Sequence, residues 1–321
     1  MKAAIRTQYG SPNVLSVQEV DQPQPNDNEI LVRVQATTVN RTDCGMLSGR
    51  PAIIRLFTGL TKPKLATTGT DFAGEVQAVG NSVSRFKVGD KVWGFNDNGL
   101  PTHAEYLAIA EDQPIAIIPE EVTYEQAAAS AEGAHYAYNF INKVDLQAGS
   151  KVMLNGATGA IGSAALQFLK YTEAYVTATA NTKNVDLIKS LGADRVINYE
   201  QEDFTQDDEK YDFVFDAVGK STFGRCRSLL KLGGIYISSE LGPGAQNPFL
   251  ALVTPLMGGK KVKFPVPLNI PRSLNFISEL LEANKFRPII DRTYSLDQIQ
   301  EAFRYVASGQ KTGNVVISLP N

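Results

Sequence analysis

The chain has two cysteines, two histidines, one tryptophan and no long apolar run, and each shortage removes a class of protein. Cys44 and Cys226 cannot form the disulfide framework of a small secreted domain or a four-cysteine zinc knot. His103 and His135 leave little material for a metal centre. The longest apolar stretch, around 249–257, is broken by Pro255 and followed by Gly258-Gly259. It falls short of the ~18 residues that would suggest a membrane span, so no membrane partner is expected. The opening MKAAIRTQYG has no apolar segment of signal-peptide length, which predicts a cytoplasmic protein. Basic excess is missing too: Lys+Arg 31 against Asp+Glu 34 gives net −3, so no nucleic-acid partner is expected. What is present is a globular composition, 43% hydrophobic over 321 residues. That length exceeds what one core usually fills and predicts two domains.

The first part reads as β-rich. Residues 2–6, 14–20, 29–39, 72–79 and 91–95 are short runs with β-branched residues, separated by turn signals such as Gly10-Ser11-Pro12, Gly80-Asn81-Ser82 and Gly89-Asp90. They predict a small barrel-like domain. Near Pro119 the texture changes. Thr123 and Gln126 form a capping-box pattern that predicts a helix over 124–132. From Ser150, strands (152–155, 175–180, 195–198, 211–217, 234–239) alternate with helices (160–171, 185–191, 221–231). That alternation predicts a parallel sheet covered on both faces. A helix at 273–284 and a final strand at 314–319 close the chain.

The strongest motif is residues 151–170, KVMLNGATGAIGSAALQFLK. A buried strand runs into Gly156-Ala157-Thr158-Gly159-Ala160-Ile161-Gly162 and directly into an amphipathic helix. Free N–H groups at a helix start, with the helix dipole, favour an anion, so Ala157 to Ile161 are expected to meet a dinucleotide pyrophosphate. The first glycine of the usual G-x-G-x-x-G is here Ala157. An NAD site usually has Asp or Glu about 20 residues on, bonding the ribose 2′-OH. Here that stretch is Asn181-Thr182-Lys183-Asn184, with no carboxylate before Asp186. A hydroxyl and a cation suit a 2′-phosphate, which predicts NADPH.

These residues, with Val39-Asn40-Arg41-Thr42-Asp43, Gly69-Thr70-Asp71-Phe72-Ala73-Gly74, Phe86-Lys87-Val88-Gly89-Asp90, Ala104-Glu105-Tyr106, Phe215-Asp216-Ala217-Val218-Gly219 and Lys311-Thr312-Gly313-Asn314 in order, are similar to the medium-chain dehydrogenase/reductase superfamily. The resemblance is to its zinc-free quinone oxidoreductase branch and covers essentially the whole chain. It implies an α/β protein in which a GroES-like β domain (1–118 and 266–321) is split around a doubly wound parallel-sheet Rossmann domain (119–265). Where zinc-dependent relatives carry Cys and the His of G-H-E, this chain has Asn40 and Thr70-Asp71, and neither Asn nor Thr ligates zinc. No zinc is expected. Without a Lewis acid, an activated acceptor such as a quinone or enone is easier to reduce than a simple alcohol is to oxidise.

By the same resemblance, Asn40 lies near the nicotinamide or the acceptor carbonyl, where its amide can donate to developing charge; the other reading is that it only fixes the following loop. His135 stands where the family has a Thr close to the cofactor. It either supplies a proton or hydrogen-bonds a cofactor phosphate or ribose. Glu132 is a further candidate acid. Cofactor roles are implied for Tyr199, Val218, Ser239, Phe264 and Asn314. The apolar segment 49–66, with Ile53, Ile54, Leu56 and Phe57, either shapes an acceptor pocket or packs on the β domain. Lys260–Pro265 matches the edge through which relatives pair, implying a homodimer whose pairing Pro265 and Pro267 would shorten. A quinone reductase is the first reading, a 2-alkenal or enone reductase the second, and a non-catalytic NADPH-binding redox sensor the reading from another class.

Overall fold

The computed structural model describes residues 1–52, 54–266 and 268–319; Ile53 and Pro267 lie outside the described residues. Two compact units are present: Met1–Glu132 with Asn269–Asn321, and Gly133–Leu268.

The first unit is built on a seven-stranded sheet in the order Ile290–Ser295, Asn314–Ser318, Glu29–Val39, Asp71–Val79, Lys91–Phe95, Ile115–Ile117, with Tyr106–Ala110 also paired to Glu29–Val39. The long Glu29–Val39 strand is the hub because it pairs antiparallel with three others. Its apolar positions Ile30, Val32 and Val34 are buried, in step with the two-residue period of a strand, and meet Phe72, Val92 and Leu107 in one core. The C-terminal helix Ile299–Ala307 covers that core with Ile299, Ala302, Phe303 and Val306.

The second unit is the parallel sheet expected from the alternation, six strands in the order Arg195–Asn198, Tyr175–Ala180, Lys151–Asn155, Tyr211–Asp216, Leu230–Ser238, Lys261–Lys263. The order reverses at Lys151–Asn155, whose next strand in sequence lies on one side and Tyr211–Asp216 on the other. In sheets of this kind ligands bind at such a reversal. Helix Ala160–Tyr171 follows that strand and buries Ala164, Ala165, Phe168 and Leu169.

Several elements depart from the sequence reading. The expected helix over 124–132 stops at Ala129, where Ser130 turns its Oγ back onto Gln126 O, and a second helix, Glu132–Ile141, begins. The Thr123–Gln126 capping box is present. The expected 221–231 helix is a single turn, Phe223–Cys226, and a short 3-10 turn, Arg227–Leu229, because the chain passes at Leu230 into the strand that runs to Ser238. The loop expected after Asn40 is a helix, Arg41–Ser48. Pro255 does not break its segment: it lies inside helix Gln246–Met257, two residues before the helix ends. Among the described residues no helix is long and apolar enough to cross a membrane.

Candidate active site

The glycine turn is held by hydrogen bonds on both sides of Lys151–Asn155. Gly156 N–H donates to Thr179 Oγ1 at 2.8 Å, and Thr179 Oγ1 donates to Asn155 Oδ1 at 2.9 Å. Gly156 takes φ +86°, and a Cβ there would lie 2.4 Å from Val218 Cγ1. The left-handed residue of this turn is therefore Gly156, which is why Ala157 is tolerated where the usual motif has glycine. A Cβ on Gly162 would lie 2.1 Å from Gly156 O, so helix and turn touch backbone to backbone. Gly159 is the N-cap of the 12-residue helix Ala160–Tyr171 and supplies no side-chain cap. The first N–H groups of that helix, with its dipole, are left for an anion. Thr158 lies in the same turn, and the space over Gly159 is open to 3.9 Å. A dinucleotide pyrophosphate fits this cradle.

Asp216, which the sequence did not single out alone, organises the opposite rim. Fully buried, it accepts from Asn155 Nδ2 (2.9 Å), Gly219 N (3.0 Å), Ser221 N (3.0 Å) and Tyr236 Oη (3.1 Å). That network fixes the loop carrying Val218. Ser239 continues from the neighbouring strand, its N–H donating to Asp216 O. Phe264 is half-buried just past the edge strand.

At the second strand the structure adds a carboxylate that sequence spacing missed. Glu200 Oε2 accepts from both the Thr182 N–H (3.0 Å) and Thr182 Oγ1 (2.6 Å), and Asn198 Nδ2 donates to the same hydroxyl at 2.9 Å. Those hydrogen bonds hold the Glu200 carboxyl below its usual range. The expectation of an acid-free turn is corrected. Thr182 has given its one hydroxyl proton to Glu200, which leaves Lys183 as the exposed cation of this turn; Tyr199, next to Glu200 in the chain, is half-exposed. Asn181 accepts from Asn184 Nδ2 at 2.7 Å.

In the first unit, Asn40 and Asp43 form a reciprocal capping box on helix Arg41–Ser48, with Asp43 N to Asn40 Oδ1 at 2.9 Å and Asn40 N to Asp43 Oδ2 at 3.0 Å. Asn40 Nδ2 donates to Thr70 Oγ1 at 2.7 Å and to Asp71 Oδ2 at a longer 3.4 Å. Asp71 is fully buried, receives Thr38 N–H at 2.6 Å and the Thr38 hydroxyl, and is pushed up to about 7 by burial. Thr42 Oγ1 donates to the buried Glu132 Oε1 at 2.8 Å. Asn314, expected at the cofactor, lies in this unit with its amide donating to Ile289 O at 3.0 Å.

Neither histidine is a ready acid. His103 Nε2 donates to Thr38 O at 2.9 Å, so its Nδ1 accepts from Thr68 Oγ1 at 2.7 Å, and the ring is neutral. His135 is fully buried on helix Glu132–Ile141, with Asn139 Nδ2 at 3.3 Å from its Nε2, and burial pushes it down to about 4. A neutral ring offers one N–H as a donor. Burial likewise pushes Cys44 up to about 12, far from a reactive thiolate.

The neutral histidines have a consequence for stability. His103 sits at about 4 when folded against 6.5 when free, so the unfolded chain takes up its proton first and stability is lost as pH falls from 6.5 toward 4. Asp71, raised from 3.8 to about 7, acts in the opposite direction, with stability lost as pH rises through that window. Replacing His103 by Gln, whose amide can meet both partners, removes the first slope alone. Urea denaturation at pH 7 and pH 5 is expected to show the parent losing roughly 2 kcal/mol more than H103Q on acidification. Equal losses would mean that His103 is charged in the fold.

Among the described residues no group of three or more His, Cys, Asp or Glu side chains is placed to hold a metal. Residues 26–120 match the alcohol dehydrogenase GroES-like domain, and residues 191–317 match the family described as zinc-binding dehydrogenase. Over 99% of its length the chain is 30% identical to the 2-methylene-furan-3-one reductase of Solanum lycopersicum, covering 79% of that protein. It is 28% identical, with the same coverage of 99% and 79%, to the NADPH-dependent alkenal/one oxidoreductase, chloroplastic, of Arabidopsis thaliana. The quinone oxidoreductase from Coxiella burnetii superposes with a TM-score of 0.86 at 27% identity, covering 100% of this chain and 99% of that one. With two matching family models, relatives along the whole chain and this fold, the protein belongs to the medium-chain dehydrogenase/reductase superfamily, in its quinone oxidoreductase branch.

Proposed function

We propose that the chain is an NADPH-dependent oxidoreductase that passes hydride to a quinone or another activated carbonyl acceptor without zinc. What carries this reading is that one chain holds both an uncapped helix start at Gly159, in its second unit, and an Asn40–Thr70–Asp71 cluster with no metal-competent donor set, in its first. Bound NADPH supplies the hydride. Asn40 is held to Thr70 by one amide hydrogen, while the other spans 3.4 Å to Asp71 and is the one available to an acceptor oxygen gaining charge. His135 offers a neutral N–H, and the proton completing the reduction comes from water.

Lys183 against Glu200 sets the choice between the two dinucleotides. Lys183→Ala is expected to cut the NADPH-over-NADH ratio of kcat/KM roughly tenfold, and Glu200→Gln to raise it by a similar factor. No change in K183A would remove the argument for NADPH.

The direct test follows NADPH oxidation with quinones, enones, alkenals and simple aldehydes, with and without a zinc chelator. Turnover with quinones and indifference to the chelator support the reading. Turnover with enones alone moves the activity to carbon–carbon double-bond reduction; the Arabidopsis relative is named an alkenal/one oxidoreductase. Tight binding with no turnover makes the protein an NADPH sensor. The homodimer implied by the resemblance would pair along Lys261–Lys263, the sheet edge beside exposed Leu252 and Leu256, and sedimentation at two ionic strengths tests it.

A further inference from the structure

Within the first unit a cavity of about 200 Å3 is lined by the buried Arg6 and Asp43, by the apolar Met46, Phe57 and Leu65, and by Lys64. Arg6 is 4% exposed and Asp43 1% exposed. Each is only half satisfied. Arg6 Nη1 donates to Met46 O, and Asp43 Oδ2 accepts from Asn40 N–H. No hydrogen bond reaches Arg6 Nε or Asp43 Oδ1. A buried charged donor and a buried carboxyl oxygen, on two residues that line one cavity and with no bond between them, are costly to leave so. An occupant that meets both at once relieves the cost.

Size and lining restrict that occupant. An apolar cavity of about 150 Å3 admits benzene, so 200 Å3 admits one ring and a polar head of a few atoms. Phe57, 69% exposed, and Leu65, 42% exposed, give the ring apolar surface to cover. We propose that this cavity binds a small organic carboxylate with a compact apolar body. One carboxylate oxygen accepts from the Arg6 guanidinium, and the other accepts a hydrogen bond from the Asp43 carboxyl, a small shift of the two side chains bringing their unmet atoms to the ligand. Asp43 can carry that proton. Burial, followed by the charge on Asp71, holds its carboxyl well above the usual carboxylate range, Glu132 adds to the rise, and Arg6 and the Asn40 hydrogen bond only oppose it. Arg6 and Lys64 supply the positive charge that an anion requires. The site gives a role to an arginine and to an apolar segment that the dinucleotide reading leaves unused.

Benzoate is the probe and benzamide its uncharged match, titrated calorimetrically into the full chain with and without saturating NADPH. Benzoate is expected to bind one saturable site in both conditions, with benzamide about tenfold or more weaker. Arg6→Met is expected to weaken benzoate by about the same factor, and Leu65→Trp, at the mouth, to block it. Asp43→Asn keeps an oxygen for the helix cap and a permanent donor for the ligand, so it is expected to retain binding. Should R6M fail to fold without its bond to Met46, the exposed L65W and the benzamide comparison still decide. Absent benzoate binding, binding unchanged in L65W, or equal binding of benzamide would overturn the assignment. The titration without NADPH keeps this result independent of whether the dinucleotide reading holds.

Discussion

Gly162→Val is expected to abolish dinucleotide binding and to destabilise the second unit by several kcal/mol. The Cβ it introduces would lie 2.1 Å from Gly156 O and 2.8 Å from Ala157 Cα, both backbone atoms of the turn that the helix starts from. A flexible side chain could move aside, but these atoms are fixed by Gly156 N–H on Thr179 and by the strand register on both sides. Either the helix tilts away from Lys151–Asn155 or the turn changes shape, and both displace the helix-start N–H groups. Gly159→Ala is the matched control. Its Cβ would meet nothing nearer than 3.9 Å, so the fold should be kept while the methyl enters the space open to the pyrophosphate. Thermal unfolding and equilibrium dialysis with NADPH separate the two: G162V is expected to lose both signals, G159A only the second. Parent-like binding by G162V would mean that the close approach of helix and turn is not what shapes the cradle.

That contrast shows what could be read from the chain alone. Periodicity carries elements whose partners lie close in sequence. Tyr175–Ala180 and Arg195–Asn198 match their expected ends, because a strand between a helix and a short turn has little freedom. The capping box of Arg41–Ser48 was legible as Asn40 followed three residues later by Asp43, yet the eight-residue helix it starts has no strong apolar stripe, and the segment passes for a loop. Glu200 was hidden for a different reason. Spacing rules look for an acid at the end of the second strand, whereas this one arrives from beyond the third and reaches Thr182 through space. Asp216 and Asp71 show the same limit. Each is a carboxylate whose environment is assembled from segments more than 20 residues apart, so its burial and its partners, and for Asp71 its raised proton affinity, appear only once the sheets are formed.

Asn40→Ala is expected to lower kcat with a quinone or enone acceptor by about 10²-fold or more, the usual cost of removing one positioned donor from a developing oxyanion. The same change removes the N-cap of Arg41–Ser48, at about 1 kcal/mol of stability. The two losses need separating, because a helix that frays at Asn40 would also disturb Thr42 and its bond to Glu132. Asn40→Ser does so. A serine hydroxyl can accept the Asp43 N–H that Asn40 Oδ1 now accepts at 2.9 Å, but it is too short to replace the amide that spans Thr70 and Asp71. N40S is therefore expected to recover the unfolding midpoint of the parent while kcat stays low, with the KM for NADPH unchanged in both variants. Were turnover to recover together with stability, the amide would have no part in the reaction, and Asn40 would serve only to start its helix. With the donor taken away at constant fold, the drop in kcat measures how much of the acceptor's charge that N–H carries, and Thr70 and Asp71 then act as the groups that aim it.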